Sequence, residues 1–154
     1  MADTPPDEKP RVSDADMLAR FQNSKKRPPC SETLGMRLAE VEQEAQRIRM
    51  DFDVPGMFAN PTGAVQGGFI AAMMDEAMST CCIIASNVTM TAPTLEMKTS
   101  YLRRLMPGKA SVDARILKWG RSAAFMEAEC FDDAGRLVAK ATATAIPMPF
   151  KRLS

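Results

Sequence analysis

Hydrophobic and polar positions change their rhythm twice along this chain. From Arg47 to Val54 they alternate, with Ile48, Met50, Phe52 and Val54 set against Arg47, Arg49, Asp51 and Asp53, the period-2 signature of a half-buried strand. Met36, Leu38 and Val41 predict a preceding strand, with Glu42 to Ala45 as the connecting turn; a helix over 40–47 is the alternative reading. Pro55-Gly56 ends the second strand. The rhythm then becomes helical within the stretch Asn60 to Ser86. Phe69, Ile70, Met73, Met74, Ala77, Met78, Cys81, Cys82 and Ile84 cover most of a helix circumference, which predicts a buried helix. After Asn87 the alternation returns in four runs, 94–102, 110–119, 123–132 and 137–146. In the first of these, Leu95, Met97, Thr99 and Tyr101 share one face, and Thr94, Glu96, Lys98 and Ser100 share the other. Arg103 to Gly108, Gly120-Arg121-Ser122 and Asp132-Asp133-Ala134-Gly135 are the turns between runs, and Pro147 and Pro149 stop the last.

The order is two strands, one long helix, four strands. Strands bunched around a single buried helix predict an α+β domain whose antiparallel sheet packs on, and rolls around, that helix. Ahead of it, residues 1–12 are Pro-rich and charged without periodicity and read as a tail. Ser13 predicts an N-cap for a short helix, Asp14 to Gln22, with Met17, Leu18 and Phe21 on one face. The division is therefore a tail with a short helix over 1–33 and one domain over 34–150.

Composition narrows the class. The 154 residues, 45% hydrophobic and 25% charged, suit one domain with a real core. A net charge of +1 gives no global field for nucleic acid. No uncharged apolar run reaches bilayer length, and the first ten residues lack the apolar stretch of a signal peptide, so a cytoplasmic protein without a membrane span is expected. The four cysteines show no zinc spacing and no metal is expected; Cys81 and Cys82 read as core thiols. Histidine is absent. That removes Ser-His-Asp and Cys-His nucleophile systems and leaves acid–base work to carboxylates, Lys, Tyr or Cys.

Two features inside the central stretch carry candidate chemistry. Asp75 and Glu76 lie in the middle of the buried helix, where a carboxylate is costly unless paired or used. Gly67-Gly68 at the helix start offers backbone N–H groups, backed by the helix dipole, to an anion or a developing oxyanion. The bland reading is that the glycines serve close packing and that Asp75 makes a buried cap or an interface ion pair.

The run Asn60-x5-Gln66-Gly67-Gly68-x6-Asp75 resembles the signature of hotdog-fold acyl-CoA thioesterases of the phenylacetic-acid-degradation type, in which His-Gly-Gly is usual. The strand order, the segment Thr94 to Tyr101 and the Pro107-Gly108 and Gly120-Arg121-Ser122 turns agree, so the resemblance spans about residues 34–147. It implies a hotdog fold and hydrolysis of an acyl- or aroyl-CoA thioester to the free acid and CoA. It further implies Asp75 as general base on water or as nucleophile, Gly68 with Gly67 as oxyanion donors, Asn60 as a positioning group and Thr94 as an aid to water. Gln66 stands in the position of the usual His; it cannot titrate but its amide hydrogen-bonds both ways. Arg103, Arg104 and Arg121 would meet CoA phosphates. Met74 and Met78, with Met73, suit either the core or the lining of an acyl tunnel, since Met adapts to varied apolar shapes. No cofactor is implied beyond the CoA of the substrate. The resemblance implies a homodimer with the site across its interface, and a dimer of dimers, that is, a homotetramer. Two other readings stay open at this point: an acyl-CoA- or lipid-binding hotdog protein without catalysis, and a structural oligomer in which Asp75 is an interface ion pair.

Overall fold

A computed structural model of the chain describes residues 10–150. Six strands form one antiparallel sheet in the order β1-β2-β5-β6-β7-β4. These are β1 Met36–Glu42, β2 Arg47–Val54, β4 Thr94–Tyr101, β5 Gly108–Trp119, β6 Ala124–Asp132 and β7 Leu137–Ala145. The sheet curls around helix α3, Gly67–Ala85, which packs against β2, β4, β5, β6 and β7. This is the hotdog arrangement, an α+β fold. Helix α3 is 19 residues long and apolar enough by length and composition to cross a bilayer, but here the sheet takes up that apolar surface.

The core follows the alternation. Ile48, Met50, Phe52 and Val54 of β2 all point inward and are buried, as are Val112, Ala114 and Ile116 of β5 and Met126, Ala128 and Cys130 of β6. They meet Ile70, Met73, Met74, Ala77, Met78 and Cys81 of α3. Each large side chain so buried stabilises by roughly 1.5–3 kcal/mol. The outward positions carry paired charge instead. Arg47 reaches Glu42 at 2.8 Å and Asp113 at 3.3 Å, and Lys140 reaches Glu129 at 2.9 Å.

The β1–β2 connection is a turn over 43–46, and the helical alternative does not occur. With no Gly or Asn available, Gln46 takes the left-handed conformation, at φ 50°. The β6–β7 turn is the one the sequence announces: Gly135 has φ 73°, and Asp132 Oδ1 accepts from Ala134 N–H at 3.1 Å and Arg136 N–H at 2.9 Å. These donors hold the Asp132 carboxyl below its ordinary pKa, the Arg136 backbone N–H first among them.

Four expectations change. The alternation of 94–101 slips at a bulge between Thr94 and Glu96, because one extra residue there inverts the phase. Leu95 is therefore 63% exposed and Thr94 turns toward α3. A second short helix α2, Pro29–Thr33, lies within 1–33, where only a tail and the helix Asp14 to Gln22 were expected. A two-stranded sheet pairs β3, Met90–Thr91, with β8, Met148–Pro149, so the chain beyond Pro147 forms structure. The end of the supposed tail is tied down as well, since Val12 O accepts from Gln43 Nε2 at 2.9 Å. The rest of that expectation, over 1–9, lies outside the described residues.

Helix α1, Asp14–Gln22, starts on Ser13, whose Oγ accepts from Asp16 N–H at 3.1 Å. It buries Met17 completely in the same core. Its neighbours cap one edge of the sheet. Gln22 Nε2 donates to Leu38 O at 2.9 Å, and Arg27 donates to Met36 O at 3.3 Å. The opposite edge, β4, pairs only with β7 among the described residues.

Burial also decides the cysteine chemistry. Cys82 and Cys130 are pushed up to about 12 by desolvation, and Cys81 is raised by the same cause. None is a thiolate nucleophile at neutral pH. Cys30, on α2, is exposed. A disulfide-exchange titration of the native protein at pH 8 is expected to count one fast thiol, with the other three appearing on unfolding. Two or more fast thiols in the folded protein would contradict this core.

Candidate active site

The site is built on α3 and the strand beside it. Nineteen residues without proline, glycine-free after Gly68, make the helix, and the sheet covers most of it. One stripe stays only partly covered: Gly68, Ala72, Asp75, Glu76, Ser79 and Ile83, spaced three and four apart. Asp75 and Glu76 are thus half-buried rather than enclosed, so their charges keep contact with solvent.

The chain brings Thr94 to Asp75. Thr94 Oγ1 donates to Asp75 Oδ1 at 2.7 Å, and Oδ2 has no protein partner among the described residues. This contact depends on the β4 bulge, without which Thr94 would face away. Glu76, one position on, turns elsewhere and accepts from Ser31 Oγ of α2 at 2.6 Å. It does not share the Asp75 site.

The helix start is held from three sides. Gln66 is the N-cap, and its Oε1 accepts from Gly68 N–H at 2.8 Å. Its backbone N–H donates to Phe58 O at 2.9 Å. Phe58 in turn stacks on Phe69 with ring centroids 3.8 Å apart. On the far side Tyr101 Oη donates to Gly67 O at 2.7 Å, and its ring lies where a Gly67 Cβ would project, 3.0 Å away. The glycine pair therefore has two separate causes: Gly67 makes room for Tyr101, and Gly68 makes room for an acceptor oxygen over its N–H. Tyr101 was not singled out from the sequence; its half-polar ring at a strand end carries no motif.

Asn60 closes the preceding loop. Its Oδ1 accepts from Thr62 N–H at 2.9 Å and from Thr62 Oγ1 at 2.7 Å, a local turn that leaves the Nδ2 donors uncommitted among the described residues. Val65 N–H donates to Leu105 O at 2.8 Å, tying this loop to the one that carries Arg103 and Arg104. Both arginines are exposed, and Arg103 donates to Leu137 O at 2.9 Å. Arg121, also exposed, sits in the β5–β6 turn at the other end of the sheet, the end where Ala124, Ala145 and Thr94 are in register. Of the two readings of Met74 and Met78, core and acyl tunnel, the packing agrees with the core: both are completely buried among the residues that α3 and the sheet share.

One distance shapes everything else. Gly68 and Asp75 are seven residues apart on a helix rising about 1.5 Å per residue, hence about 10 Å along its axis. Helical N–H groups point toward the N-terminus, so an acceptor on Gly68 N–H lies farther still from Asp75. No single carbonyl group reaches both within one chain.

Comparison with known proteins agrees with this architecture. A sequence profile of the thioesterase superfamily matches residues 62–139, which include Gly67, Gly68, Asp75 and Thr94. A phenylacetic acid degradation-related protein from Ralstonia eutropha JMP134 is 30% identical, with a TM-score of 0.77 over 84% of this chain and 98% of its own. The Escherichia coli PaaI protein of the phenylacetic acid degradation operon shares the fold at 15% identity, TM-score 0.69, over 86% of this chain and 93% of its own. A Streptococcus mutans protein whose crystal structure is bound to acetyl-CoA shares it at 21% identity, TM-score 0.67, over 76% and 91%. A search of curated proteins gives no match. Fold, glycine-opened central helix and family profile coincide: this chain belongs to the thioesterase superfamily, in its phenylacetic-acid-degradation type, and is a thioester hydrolase of the hotdog fold.

Proposed function

We propose that the protein hydrolyses acyl- or aroyl-CoA thioesters in a site shared by two copies of the chain. The observation that carries the chemistry is the 2.7 Å hydrogen bond from Thr94 to Asp75 on the uncovered stripe of α3. It fixes one carboxylate oxygen and leaves Oδ2 to take a proton from water. The resulting hydroxide adds to the thioester carbon, and the carbonyl oxygen gathers charge against the Gly68 N–H. The C–S bond then breaks, the acid departs, and the CoA sulfur takes up the proton. No cofactor enters the scheme; CoA is part of the substrate. The S. mutans protein supports the ligand class to the extent that this fold can hold acetyl-CoA.

The edge strands support the two-copy arrangement. The β1 edge is capped by Gln22 and Arg27, whereas β4 offers an open edge with Leu95 and Tyr101 exposed on it. Strand β4 is tied to Asp75 by Thr94 and to Gly67 by Tyr101. Antiparallel pairing of β4 with a second copy's β4 therefore sets the Asp75 end of one chain beside the helix start of the other. It also gathers Arg121 from one copy and Arg103 and Arg104 from the other around one site, as three cations for the CoA phosphates. Asn60, whose Nδ2 has no partner among the described residues, is assigned as a donor to the thioester. The homodimer is the catalytic unit; a dimer of dimers and a cytoplasmic location complete the reading.

Thiol release from a panel of short, long and aromatic acyl-CoAs tests it. Wild type is expected to turn over part of the panel, and Asp75→Asn to lose roughly 10²- to 10⁴-fold in kcat with its fold and oligomeric state retained. Gly68→Ala displaces only the flexible end of Gln66 but blocks the oxyanion position, and is expected to cost roughly 10²- to 10³-fold. Near-normal turnover by Asp75→Asn would sink the mechanism. Binding of acyl-CoA by wild type without turnover of any panel member would instead favour a carrier.

A further inference from the structure

The helix start already holds a carbonyl. Gln66 Oε1 lies 2.8 Å from Gly68 N, on the N–H that the proposed reaction needs for the thioester oxygen. The Gln66 backbone is fixed at both ends, its N–H to Phe58 O at 2.9 Å and its C=O receiving Phe69 N–H at 3.0 Å. The side chain is exposed and makes no second hydrogen bond among the described residues. It can therefore swing away without moving the loop. A Cβ built on Gly68 would meet Oε1 at 2.8 Å, and the next nearest atoms also belong to the Gln66 side chain, so this side chain is what fills the space over that N–H.

An amide carbonyl and a thioester carbonyl present the same planar oxygen to a donor. We propose that the Gln66 side chain is an internal mimic of the substrate carbonyl, which fills the oxyanion position of the empty enzyme and is displaced when a thioester enters. The inference rests on the reading that Gly68 N–H receives the thioester oxygen. Its energetics favour turnover. In the ground state one neutral acceptor replaces another, so the exchange gains little. In the transition state the arriving oxygen is anionic and takes a bond about twice as strong, so the mimic competes least where binding matters most. Meanwhile the empty enzyme avoids an unsatisfied N–H at its helix start. A carboxylate at position 66 would reverse this balance, because it would hold the N–H by a charge-assisted bond and repel the oxyanion.

Calorimetric titration with two probes tests the proposal in wild type, Gln66→Ala and Gln66→Glu. One probe is free CoA, which has no acyl carbonyl. The other is the ketone analogue of acetyl-CoA, in which a methylene replaces the thioester sulfur so that hydrolysis is impossible. The ketone is expected to bind Gln66→Ala about fivefold tighter than wild type, the net value of one neutral hydrogen bond, and Gln66→Glu at least tenfold more weakly. Free CoA is expected to bind all three alike, and KM for acetyl-CoA to move with the ketone affinity. The Glu variant keeps the helix cap, so the comparison survives if Gln66→Ala folds poorly. Equal ketone affinities in all three proteins, or free CoA affinities shifting in parallel with the ketone, would overturn the mimic while leaving hydrolysis intact. The stated ketone series in a protein without turnover would retain the mimic and remove the hydrolysis reading.

Discussion

A helix that is apolar over most of its circumference has to be covered, and covering α3 determines the rest of this molecule. Six strands are enough to enclose most of a 19-residue cylinder but not all of it. The part left over is the stripe that carries Gly68, Asp75 and Glu76. Apart from Ile83 at its C-terminal end, the residues there are small or acidic, because large apolar ones would remain in water. The same constraint places Asp75, the candidate catalytic carboxylate, on the surface of the core and leaves a sheet edge open beside it. Fold and candidate site thus have one cause, the mismatch between the helix circumference and the span of the sheet.

Two hydrogen bonds convert that geometry into a defined site. Thr94 fixes Asp75 and Tyr101 fixes Gly67, so the open edge strand is locked to the helix near both of its ends. The about 10 Å between Gly68 and Asp75 then becomes the decisive quantity. It is too long for one substrate carbonyl within one chain, so in the proposed reaction the two groups act on one carbonyl only from different chains. The proposed dimer therefore follows from a spacing along the helix and not from the amount of apolar surface exposed.

Much of this was legible in the sequence, for reasons that differ by element. Strand β2 could be read because its neighbours on both sides are strands, which leaves a strict inside and outside. The central helix could be read because no other pattern accommodates so many apolar residues in succession. The spacing from Asn60 to Asp75 marked the candidate site, and in the structure Thr94 meets Asp75, a contact that no residue pattern announced. The failures are local. A bulge has no signature in alternation except the loss of it, so Leu95 was grouped with Met97 and Thr99 when Thr94 is the residue that meets the helix. Helix α2 and the β3–β8 pair are too short to establish a period. For Met74 and Met78 the sequence left core and tunnel open, because chemical suitability says nothing about which way a side chain points; both are buried in the core. The contact of Gln66 with Gly68 is a rotamer choice, which no residue pattern encodes.

The central claim is that Asp75 of one copy works with the helix start of another. Mixed dimers test it most directly. Asp75→Asn and Gly68→Ala chains, each inactive alone, are co-expressed with different affinity tags, and acyl-CoA hydrolysis is measured on the doubly tagged species. Each mixed dimer then contains one site with both defects and one site with neither, so half of wild-type activity per dimer is predicted. Mixed dimers as inactive as either parent would show that both groups act from the same chain and would contradict the account.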